Sequence, residues 1–396
     1  MKFVVHGLAL TSGGGKVGAL HLLPAMAKQG RHEYVALLPP LPEYAGLNSP
    51  NLRVVLRPSL RNLILREWWL NVTVPKICLE QKADALLCLG NFAPHHPPVP
   101  TAILLQNAYY VYRDAFARRG LTLRERLIVK YGWHHFRHLA GNVTVIVQTE
   151  VMKQRLLSQF PISPSRVFVI PDRGPILPRS PGSCVNSRKD ASGPFTFLCV
   201  AVCSPNKNLG VLVGAVKRLR TFTKRPFRCL LTIHSDQHPA ARKLLANIER
   251  EMVADILVNI GPLLPERLPA TYRSADACIL PTLLESFGRT YDEAMQFNLP
   301  ILTSDRDFAH GRCRDAAIYF DPLDADSVAR AMARVMEDEE LRQRLVENGR
   351  RILARAPTWE EIAARFVEVL ERAAQHRDTS VSTARSKTRP ELEVNP

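Results

Sequence analysis

Short apolar runs alternate with longer segments of helical periodicity along most of the 396 residues. In the first half these runs predict strands at KFVVHGL, EYVALLP, LRVVLRP, ALLCLG, TAILLQN and VTVIVQT. In the second half they predict strands at FTFLCVAV, RCLLTIHS, DILVNIG, ACILPT, PILTSD and AIYFDP. Strands that alternate with helices favour parallel sheets covered by helices. We therefore predict an α/β protein with two doubly wound, Rossmann-like domains that face each other across a cleft, followed by C-terminal helices.

The domain boundaries follow from composition. Residues 171–194 hold five prolines and almost no periodicity, which is typical of a linker. We predict an N-terminal, acceptor-side domain at 1–175, a linker at 176–194 and a second domain at 195–357. A C-terminal helix is predicted at 358–376, and the polar residues 377–396 are predicted to be disordered.

The formal net charge is +16, and Lys and Arg exceed Asp and Glu by twelve within residues 1–175 alone. Such an excess favours anionic partners such as nucleic acid, phosphorylated substrates or an acidic membrane. The eight cysteines form no CxxC pair and several lie in apolar runs, so we predict reduced core residues of a cytoplasmic protein. The apolar run near the N-terminus is too short to span a membrane and has no plausible signal-peptide cleavage region.

The stretch LLESFGRTYDEAM places two glutamates, Glu285 and Glu293, between a predicted strand and a predicted helix. In open α/β sheets ligands bind at this edge. A glycine there lets the backbone approach a ligand, and the free amides of a helix start favour an anion such as a diphosphate. Each carboxylate can accept two hydrogen bonds from a sugar or ribose diol. The alternative is that Glu293 only complements the helix dipole.

The run PTLLESFGRTYDEAMQFNLPILTSD resembles the nucleotide-binding signature of retaining glycosyltransferases of the GT-B fold, glycosyltransferase family 4. The resemblance extends over residues 205–325 and includes the glutamate, seven residues, glutamate hallmark. It implies that Glu285 contacts the transferred sugar and that Glu293 binds the ribose. It further implies that the amides of Ser286, Phe287 and Gly288 hold sugar hydroxyls or the phosphate. The chain departs from the family at Asn298 and Arg314, where glycine is common; asparagine tolerates the left-handed conformation of a helix end.

The same resemblance assigns Lys207, after the first strand of the second domain, to the charge that develops on the leaving diphosphate. The family often adds an arginine a few residues earlier, and this chain has none there. We therefore expect Lys207 to act alone or with Arg289. Gly261 in GPLLPERL is expected to border the base of the nucleotide. A lone lysine before a helix would otherwise be a solvated surface residue.

In the first domain TSGGGKVGALHLLPAMA follows the first strand and is only a partial match to GxGxxG. By the resemblance, Gly13, Gly14 and Gly15 bring the backbone to the donor phosphate and the acceptor, and Lys16 adds charge. Where the family has a histidine near the reacting sugar, this chain has LLQNAYY. Gln106 or Asn107 would stand there on the acceptor or sugar side as a hydrogen-bonding group.

His95 and His96 lie on a nearby loop, where they either reach the cleft or are simply exposed. Residues 112–138 hold seven Lys and Arg against two acids, interleaved with apolar residues. Such a helix can lie on an anionic membrane. We slightly favour the alternative, in which the apolar stripe packs into the first domain and the basic face attracts a lipid-linked or phosphorylated acceptor.

The leading hypothesis is a hexosyltransferase that moves a sugar from a nucleoside diphosphate to a hydroxyl of a glycan or lipid-linked acceptor, with retention. The resemblance implies no metal and no other cofactor. The DAD at 324–326 and DRD at 305–307 match a metal pair by chance, and DAD is predicted to be a helix N-cap. By analogy the setting is cell-surface polysaccharide or lipopolysaccharide synthesis, in the cytoplasm or peripherally at the inner face of the membrane.

Two alternatives stay open. One is a nucleotide-sugar epimerase of the same fold. The other is a non-catalytic module whose basic half binds an anion, although nucleic acid is not an expected partner. A steep salt dependence with polynucleotide, without nucleoside diphosphate binding, would favour the module.

Overall fold

Two parallel β-sheets, one of seven strands and one of six, organise the chain. The structure is a computed structural model that describes residues 1–58, 63–114, 118–139, 141–174, 176–177 and 193–386. It divides into a first unit, Met1–Val111, Val129–Asp172 and Pro357–Pro396, and a second unit, Tyr112–Ile128 and Arg173–Ala356. Most of the predicted linker, 178–192, lies outside the described residues.

The first sheet has the order β3-β2-β1-β4-β5-β6-β7, and all its strand pairs are parallel. The central strands are almost completely buried because helices cover both faces, as their unbroken apolar runs predict. The strands are Lys2–His6 (β1), Glu33–Leu38 (β2), Leu52–Leu56 (β3), Ala85–Cys88 (β4), Thr101–Leu104 (β5), Thr144–Val147 (β6) and Val167–Val169 (β7).

Six α-helices lie between the strands of the first half, and a π-helical turn at Trp69–Thr73 joins two of them. Thr149 caps the sixth helix by accepting from the amide of Met152, which is the ordinary chemistry of a helix start. The helices are Gly13–Lys28 (α1), Pro42–Ala45 (α2), Leu63–Trp68 (α3), Val74–Glu80 (α4), Leu123–Leu139 (α5) and Glu150–Gln159 (α6).

The second sheet has the order β10-β9-β8-β11-β12-β13 and is also parallel throughout. All six of its strands were predicted from the apolar runs. They are Phe195–Cys199 (β8), Phe227–Leu231 (β9), Leu257–Asn259 (β10), Ala277–Leu280 (β11), Ile301–Ser304 (β12) and Ala317–Phe320 (β13). The predicted fold class, α/β with two doubly wound domains, is confirmed.

Seven helices accompany the second sheet. Asp324 caps the sixth of them through the amide of Asp326, so the DAD triplet is a helix start as predicted. The helices are Val211–Phe222 (α7), Pro239–Arg250 (α8), Leu268–Ser274 (α9), Arg289–Gln296 (α10), Asp307–Cys313 (α11), Ala325–Glu337 (α12) and Glu339–Ala354 (α13).

The last helix, Trp359–Ser386 (α14), returns to the first unit and packs on α1. Its apolar stripe, Ile362, Phe366, Val367 and Leu370, is buried in the core that β1 and α1 also form. The helix continues beyond 376, where a disordered tail was predicted to start, and 387–396 lie outside the described residues.

The segment Tyr112–Ile128 belongs to the second unit, although the sequence assigned it to the first domain. The Tyr112 hydroxyl donates to a carboxylate oxygen of Asp307 at 2.9 Å. The Arg306 guanidinium lies 3.0 Å from the carboxylate of Asp114. These long-range contacts fix the segment beside α11. The local sequence of the segment does not predict them.

The apolar residues of the basic stretch 112–138 do not all reach a core. Leu123 is 75% exposed and Leu127 is 59% exposed, and Ile128 and Tyr131 are also exposed. The prediction that this stripe packs into the first domain is therefore wrong for Leu123, Leu127 and Ile128. The partly exposed ring of Tyr131, by contrast, stacks on Phe92 of the first unit, with ring centres 6.1 Å apart.

Arg314 ends α11 with φ 49° and ψ −117°, a combination that glycine adopts readily and a side chain strains against. This explains why glycine is common at the position in the resembling family. We expect Arg314→Gly to raise the free energy of unfolding by about 1 kcal/mol in urea denaturation, because strain of this kind costs about 1–3 kcal/mol and the freer unfolded chain offsets part of it.

Arg314→Ala is the matched control, because it removes the guanidinium and keeps the Cβ. It should give no comparable gain. An equal gain in both variants would place the effect in the side chain and contradict backbone strain.

Candidate functional site

The second sheet changes direction between β8 and β11. From β8 the chain builds outward through β9 and β10, and it then returns to place β11 on the other side of β8. In doubly wound sheets ligands bind beyond the carboxyl ends of the strands at such a switch point. The two loops that meet there follow β8 and β11, and they carry Lys207 and Glu285.

Lys207 and Glu285 form an ion pair, with the lysine Nζ donating to Oε1 of the glutamate. Their side chains are only 22% and 18% exposed, so the pair is mostly withdrawn from solvent. Asn206 holds the two loops together: its carbonyl accepts from the amide of Leu283 at 2.7 Å, and its Nδ2 donates to the carbonyl of Leu284 at 3.0 Å. The structure thus brings the two predicted catalytic residues into direct contact.

Gly288 stands at the start of α10 with φ 77°, in the left-handed region. A Cβ at this position would lie 2.6 Å from the ring of Tyr291. Both the backbone conformation and the close approach therefore require glycine. The turn ends the β11 loop within three residues of Glu285 and aims the first amides of α10 out of the sheet edge.

Glu293 lies one turn into α10, half-buried, and its Oε2 accepts from the Tyr272 hydroxyl at 2.6 Å. Burial raises the pKa of Glu293, and the hydrogen bond from Tyr272 together with the charges of Arg289 and Lys207 opposes that rise. The Tyr272 ring is stacked on Phe297, with the ring centres 5.3 Å apart, so its hydroxyl is held in place. A carboxylate held by one oxygen can still accept hydrogen bonds from a ligand.

A buried carboxylate, Asp292, braces the same helix and was not singled out from the sequence. Its side chain is almost fully buried, pairs with the guanidinium of Arg312 and accepts from the amide of Gly174 at 2.9 Å. The Arg312 guanidinium also lies 3.9 Å from the ring centre of Phe287. The Phe287 side chain is therefore part of this brace, and only its backbone amide is available to a ligand.

The other predicted residues of the second unit have different environments. Ser286 and Arg289 are half-buried on either side of the Phe287–Gly288 pair. Gly261 follows β10 with φ 76°, and no atom within 4 Å would meet a Cβ there, so its surroundings are open. Asn298 adopts φ 55° after α10, as predicted from its tolerance of the left-handed region.

The first sheet has its own switch point, between β1 and β4, and a cavity of about 300 Å³ lies there. Asn91 shapes its edge: its side-chain oxygen accepts from the amides of Gln106 at 2.6 Å and Asn107 at 2.8 Å. The cavity is lined by His6, Leu8, Ala9, Thr11, Arg66, Trp69, Leu70, Gly90, Asn91, Phe92, Asn107 and Tyr110. Asn107 is thus at the cavity.

Gly13, Gly14 and Gly15 form the first turn of α1, so the glycine-rich stretch begins a helix. A Cβ at Gly15 would meet the side chain of Leu10 at 2.8 Å and the side-chain oxygen of Gln106 at 3.2 Å. Gly15 and Gln106 are therefore in contact, whereas Gly14 is exposed. Lys16 pairs with Glu43 at 2.7 Å, so its charge already has a partner.

The structure adds one histidine to the candidates and shows different environments for His95 and His96. His6, at the end of β1, lines the cavity and stacks on Trp69, with ring centres 5.9 Å apart. Burial and then the charge of Arg66 lower the pKa of His6 to about 4. His95 is half-buried against His135, and only His96 is exposed. His6 was missed because it stands inside an apolar strand, which is the usual place of a core residue.

The part of the chain that holds the candidate residues of the second unit matches a known protein family. Residues 186–352 match the family model described as glycosyl transferases group 1. The match covers less than half of the chain, and it confirms the predicted resemblance to glycosyltransferases of this group. The candidate residues from Lys207 to Glu293 all lie within the matched range.

Beyond the family match, the chain is similar to the MMP alpha-(1->4)-mannosyltransferase of Mycolicibacterium hassiacum, with 27% identity over 55% of this chain and 51% of that protein. The chain spans about half the length of the curated relatives it matches. Its fold is that of WaaG, a glycosyltransferase involved in lipopolysaccharide biosynthesis, with a TM-score of 0.68, 13% identity and coverage of 93% and 99%. It is also that of Anabaena Alr3699/HepE in complex with UDP-glucose, with a TM-score of 0.68, 15% identity and coverage of 94% and 99%.

Gly288→Ala tests the turn at the centre of the glycosyl transferases group 1 domain. We expect it to lower the free energy of unfolding by roughly 2 kcal/mol or more, because a left-handed residue with a Cβ costs about 1–2 kcal/mol and the methyl group also meets Tyr291. Chemical denaturation monitored by circular dichroism measures this change.

Gly210→Ala is the control for Gly288→Ala, since Gly210 has helical φ and ψ and open space around it. It should be neutral or slightly stabilising. A loss as large in Gly210→Ala as in Gly288→Ala would show that the turn is not special.

Proposed function

We propose that the protein is a retaining glycosyltransferase of family 4 that moves a hexose-type sugar from a nucleoside diphosphate to a hydroxyl acceptor. The observation that carries this proposal is the Lys207–Glu285 pair at the switch point of the second sheet, beside the Gly288 turn. A cation, a carboxylate and the start of a helix at one sheet edge suit the three parts of a sugar nucleotide.

In this proposal the diphosphate takes over Lys207 from Glu285. A diphosphate carries more negative charge than one carboxylate and accepts the lysine N–H groups as well as the amides at the start of α10. Glu285, released from the lysine, then accepts hydrogen bonds from hydroxyls of the sugar. The resting ion pair therefore keeps two half-buried charges satisfied until the donor arrives.

Glu293 is proposed to bind the ribose. Its Oε2 is held by Tyr272, so Oε1 is the atom that would accept from a ribose hydroxyl. Lys207, Arg289 and the helix amides supply the positive charge that stabilises the leaving diphosphate. We propose that the reaction needs no metal, and activity that persists in excess chelator would support this.

For the chemistry we propose front-face transfer. The bond between the anomeric carbon and the phosphate oxygen breaks, and the acceptor oxygen bonds to the same face of the sugar. The leaving phosphate takes the acceptor proton, so no protein nucleophile is required. In this scheme Lys207 and Glu285 stabilise and position, and neither transfers a proton.

The acceptor is proposed to be a glycan or lipid-linked sugar that reaches the cavity of the first unit. Aromatic rings and amides suit sugar rings, and Arg66 suits a phosphate. WaaG is involved in lipopolysaccharide biosynthesis. We propose that this protein acts in the cytoplasm in a related synthesis of cell-surface glycans. Among the described residues no helix is long and apolar enough to cross a membrane.

Peripheral membrane contact is part of the proposal. Leu65, Trp68, Val72 and Leu79 are exposed along α3, the π-helical turn and α4, and Leu123 and Leu127 are exposed on α5 beside arginines. Apolar side chains next to basic ones are typical of segments that lie on anionic lipid. Sedimentation with anionic vesicles would test this separately from catalysis.

The donor site is tested with nucleoside diphosphates and their sugars. A thermal-shift panel should find one base that stabilises the folded protein, since a ligand that binds only the folded state raises its melting temperature. Glu293→Ala should weaken binding of that nucleoside diphosphate, with Glu249→Ala, an exposed glutamate of α8, as the control.

Glu285→Ala and Lys207→Ala should separate binding from transfer. Glu285→Ala should leave nucleoside diphosphate binding intact and slow sugar transfer, whereas Lys207→Ala should lower turnover by roughly 10²-fold. Calorimetry and release of nucleoside diphosphate measure the two effects. Unimpaired transfer in both variants would contradict the proposed roles of Glu285 and Lys207. If the unmodified protein changes the sugar of the donor without transferring it, the protein is an epimerase. If it binds only polynucleotide, with a steep dependence on salt, it is an anion-binding module.

A further inference from the structure

Three elements of the first unit bring a carboxylate and two imidazoles together outside the candidate active site. Glu67 lies on α3, His95 on the loop after β4 and His135 on α5. One carboxylate oxygen and one ring nitrogen of each histidine all lie within 4.8 Å of one another. Three segments distant in sequence have no reason to assemble such a set for packing alone.

His135 is oriented for ligation. It is 3% exposed, and its Nε2 lies 3.0 Å from the carbonyl oxygen of Ala93, so Nε2 carries the proton and donates. The lone pair then stands on Nδ1, which is buried and has no hydrogen-bond partner among the described residues. Histidines that bind a metal commonly donate their other ring N–H to a backbone carbonyl in this way.

Glu67 also has a buried polar atom without a hydrogen-bond partner among the described residues. Its Oε1 is buried without a hydrogen-bond partner, and a buried polar atom left so costs about 1–3 kcal/mol. Asn71 fixes the glutamate relative to the histidine loop: its Nδ2 donates to the Glu67 carbonyl at 2.9 Å, and its Oδ1 accepts from the amide of His95 at 2.7 Å. Two of the three ligand groups are therefore held in place by backbone contacts.

We propose that Glu67, His95 and His135 bind a zinc ion. Two imidazole nitrogens and one carboxylate oxygen are a ligand set that Zn²⁺ accepts in tetrahedral geometry, with water in the fourth position. Zinc–ligand bonds of about 2.0–2.1 Å place tetrahedral ligands about 3.4 Å apart. The three ligand atoms now lie within 4.8 Å of one another, so zinc binding requires them to move closer together.

Arg66 and three more groups surround this site and bear on its charge. Arg66 lies over the Phe92 ring at 5.3 Å, and Tyr131 and His138 lie beside Glu67 and His95 respectively.

Zinc at this position ties α3 and α5 to the loop after β4. The ring of Phe92 on that loop lies 4.9 Å from His135 and also lines the cavity at the first switch point. The ion would thus hold one wall of the cavity, and it would act as a structural tie of the first unit.

The test uses the full chain without a histidine tag, freed of metal by chelator and then of chelator by dialysis. Zn²⁺ alone is titrated by equilibrium dialysis with elemental analysis. We expect one tightly bound zinc per chain and a melting temperature that rises with zinc. Glu67→Gln and His95→Ala should each weaken zinc binding at least about tenfold, and circular dichroism checks that both variants fold.

His134→Ala is the matched control, because His134 is an exposed neighbour of His135 on the same helix and outside the triad. It should bind zinc like the unmodified protein. Co²⁺ substitution gives a second readout, since a visible spectrum without a thiolate charge-transfer band excludes the cysteines as ligands. Absence of stoichiometric zinc, or equal binding in Glu67→Gln, His95→Ala and the control, would overturn the site, and neither result depends on glycosyl transfer.

Discussion

The pairing of β8 with β11 is the constraint on which the candidate active site depends. Ala277 pairs with Phe197 and Cys278 with Leu198, so two strands distant in sequence end at the same edge. Lys207 and Glu285, 78 positions apart, become contact partners because these strands end together and Asn206 then links the two loops. The strands are buried on both faces, and sliding one of them would expose its apolar side chains. The hydrophobic core therefore sets the distance between the two charges.

A second ion pair, in which the Asp292 carboxylate is almost fully buried and Arg312 partly buried, braces this edge. Asp292 is removed from water and would be costly without Arg312, so the two side chains have little freedom to separate. Asp292 also accepts a hydrogen bond from the Gly174 amide, which further restrains the start of α10. Gly288 forms the left-handed turn that precedes this helix. Catalytic electrostatics work through groups that need no rearrangement. In this chain Asp292 and Arg312 brace the start of α10 next to the mostly buried Lys207–Glu285 pair.

The features of the fold that depend only on neighbouring residues in the sequence could be predicted. Twelve of the strands follow from apolar runs, whereas β7 was missed because its three residues give too short a signal. The left-handed backbone conformation of Asn298 could be predicted, because it depends on the preference of that one residue. The strain at Arg314 could not, because it depends on how α11 turns into β13. Likewise the membership of Tyr112–Ile128 and of α14 is decided by contacts with distant residues.

The candidate site of the second unit could be predicted from the sequence and the cavity of the first unit could not. The reason is again whether the residues involved are close together in the sequence. In the second unit the candidate residues follow one another on a single loop and helix, so Glu285, Gly288 and Glu293 form a motif that a family model can match. In the first unit the cavity takes His6 from β1, Trp69 from the π-helical turn and Asn107 from the turn after β5. Each is a lone residue in a segment with its own packing demands, and no spacing connects them. Under the proposed function, an acceptor site assembled in this way could change one residue at a time, whereas the proposed donor site depends on a shared motif. A metal tie across α3, α5 and the loop after β4 would serve this unit in particular, because a cavity wall drawn from separate segments lacks the single helix start that fixes the donor edge.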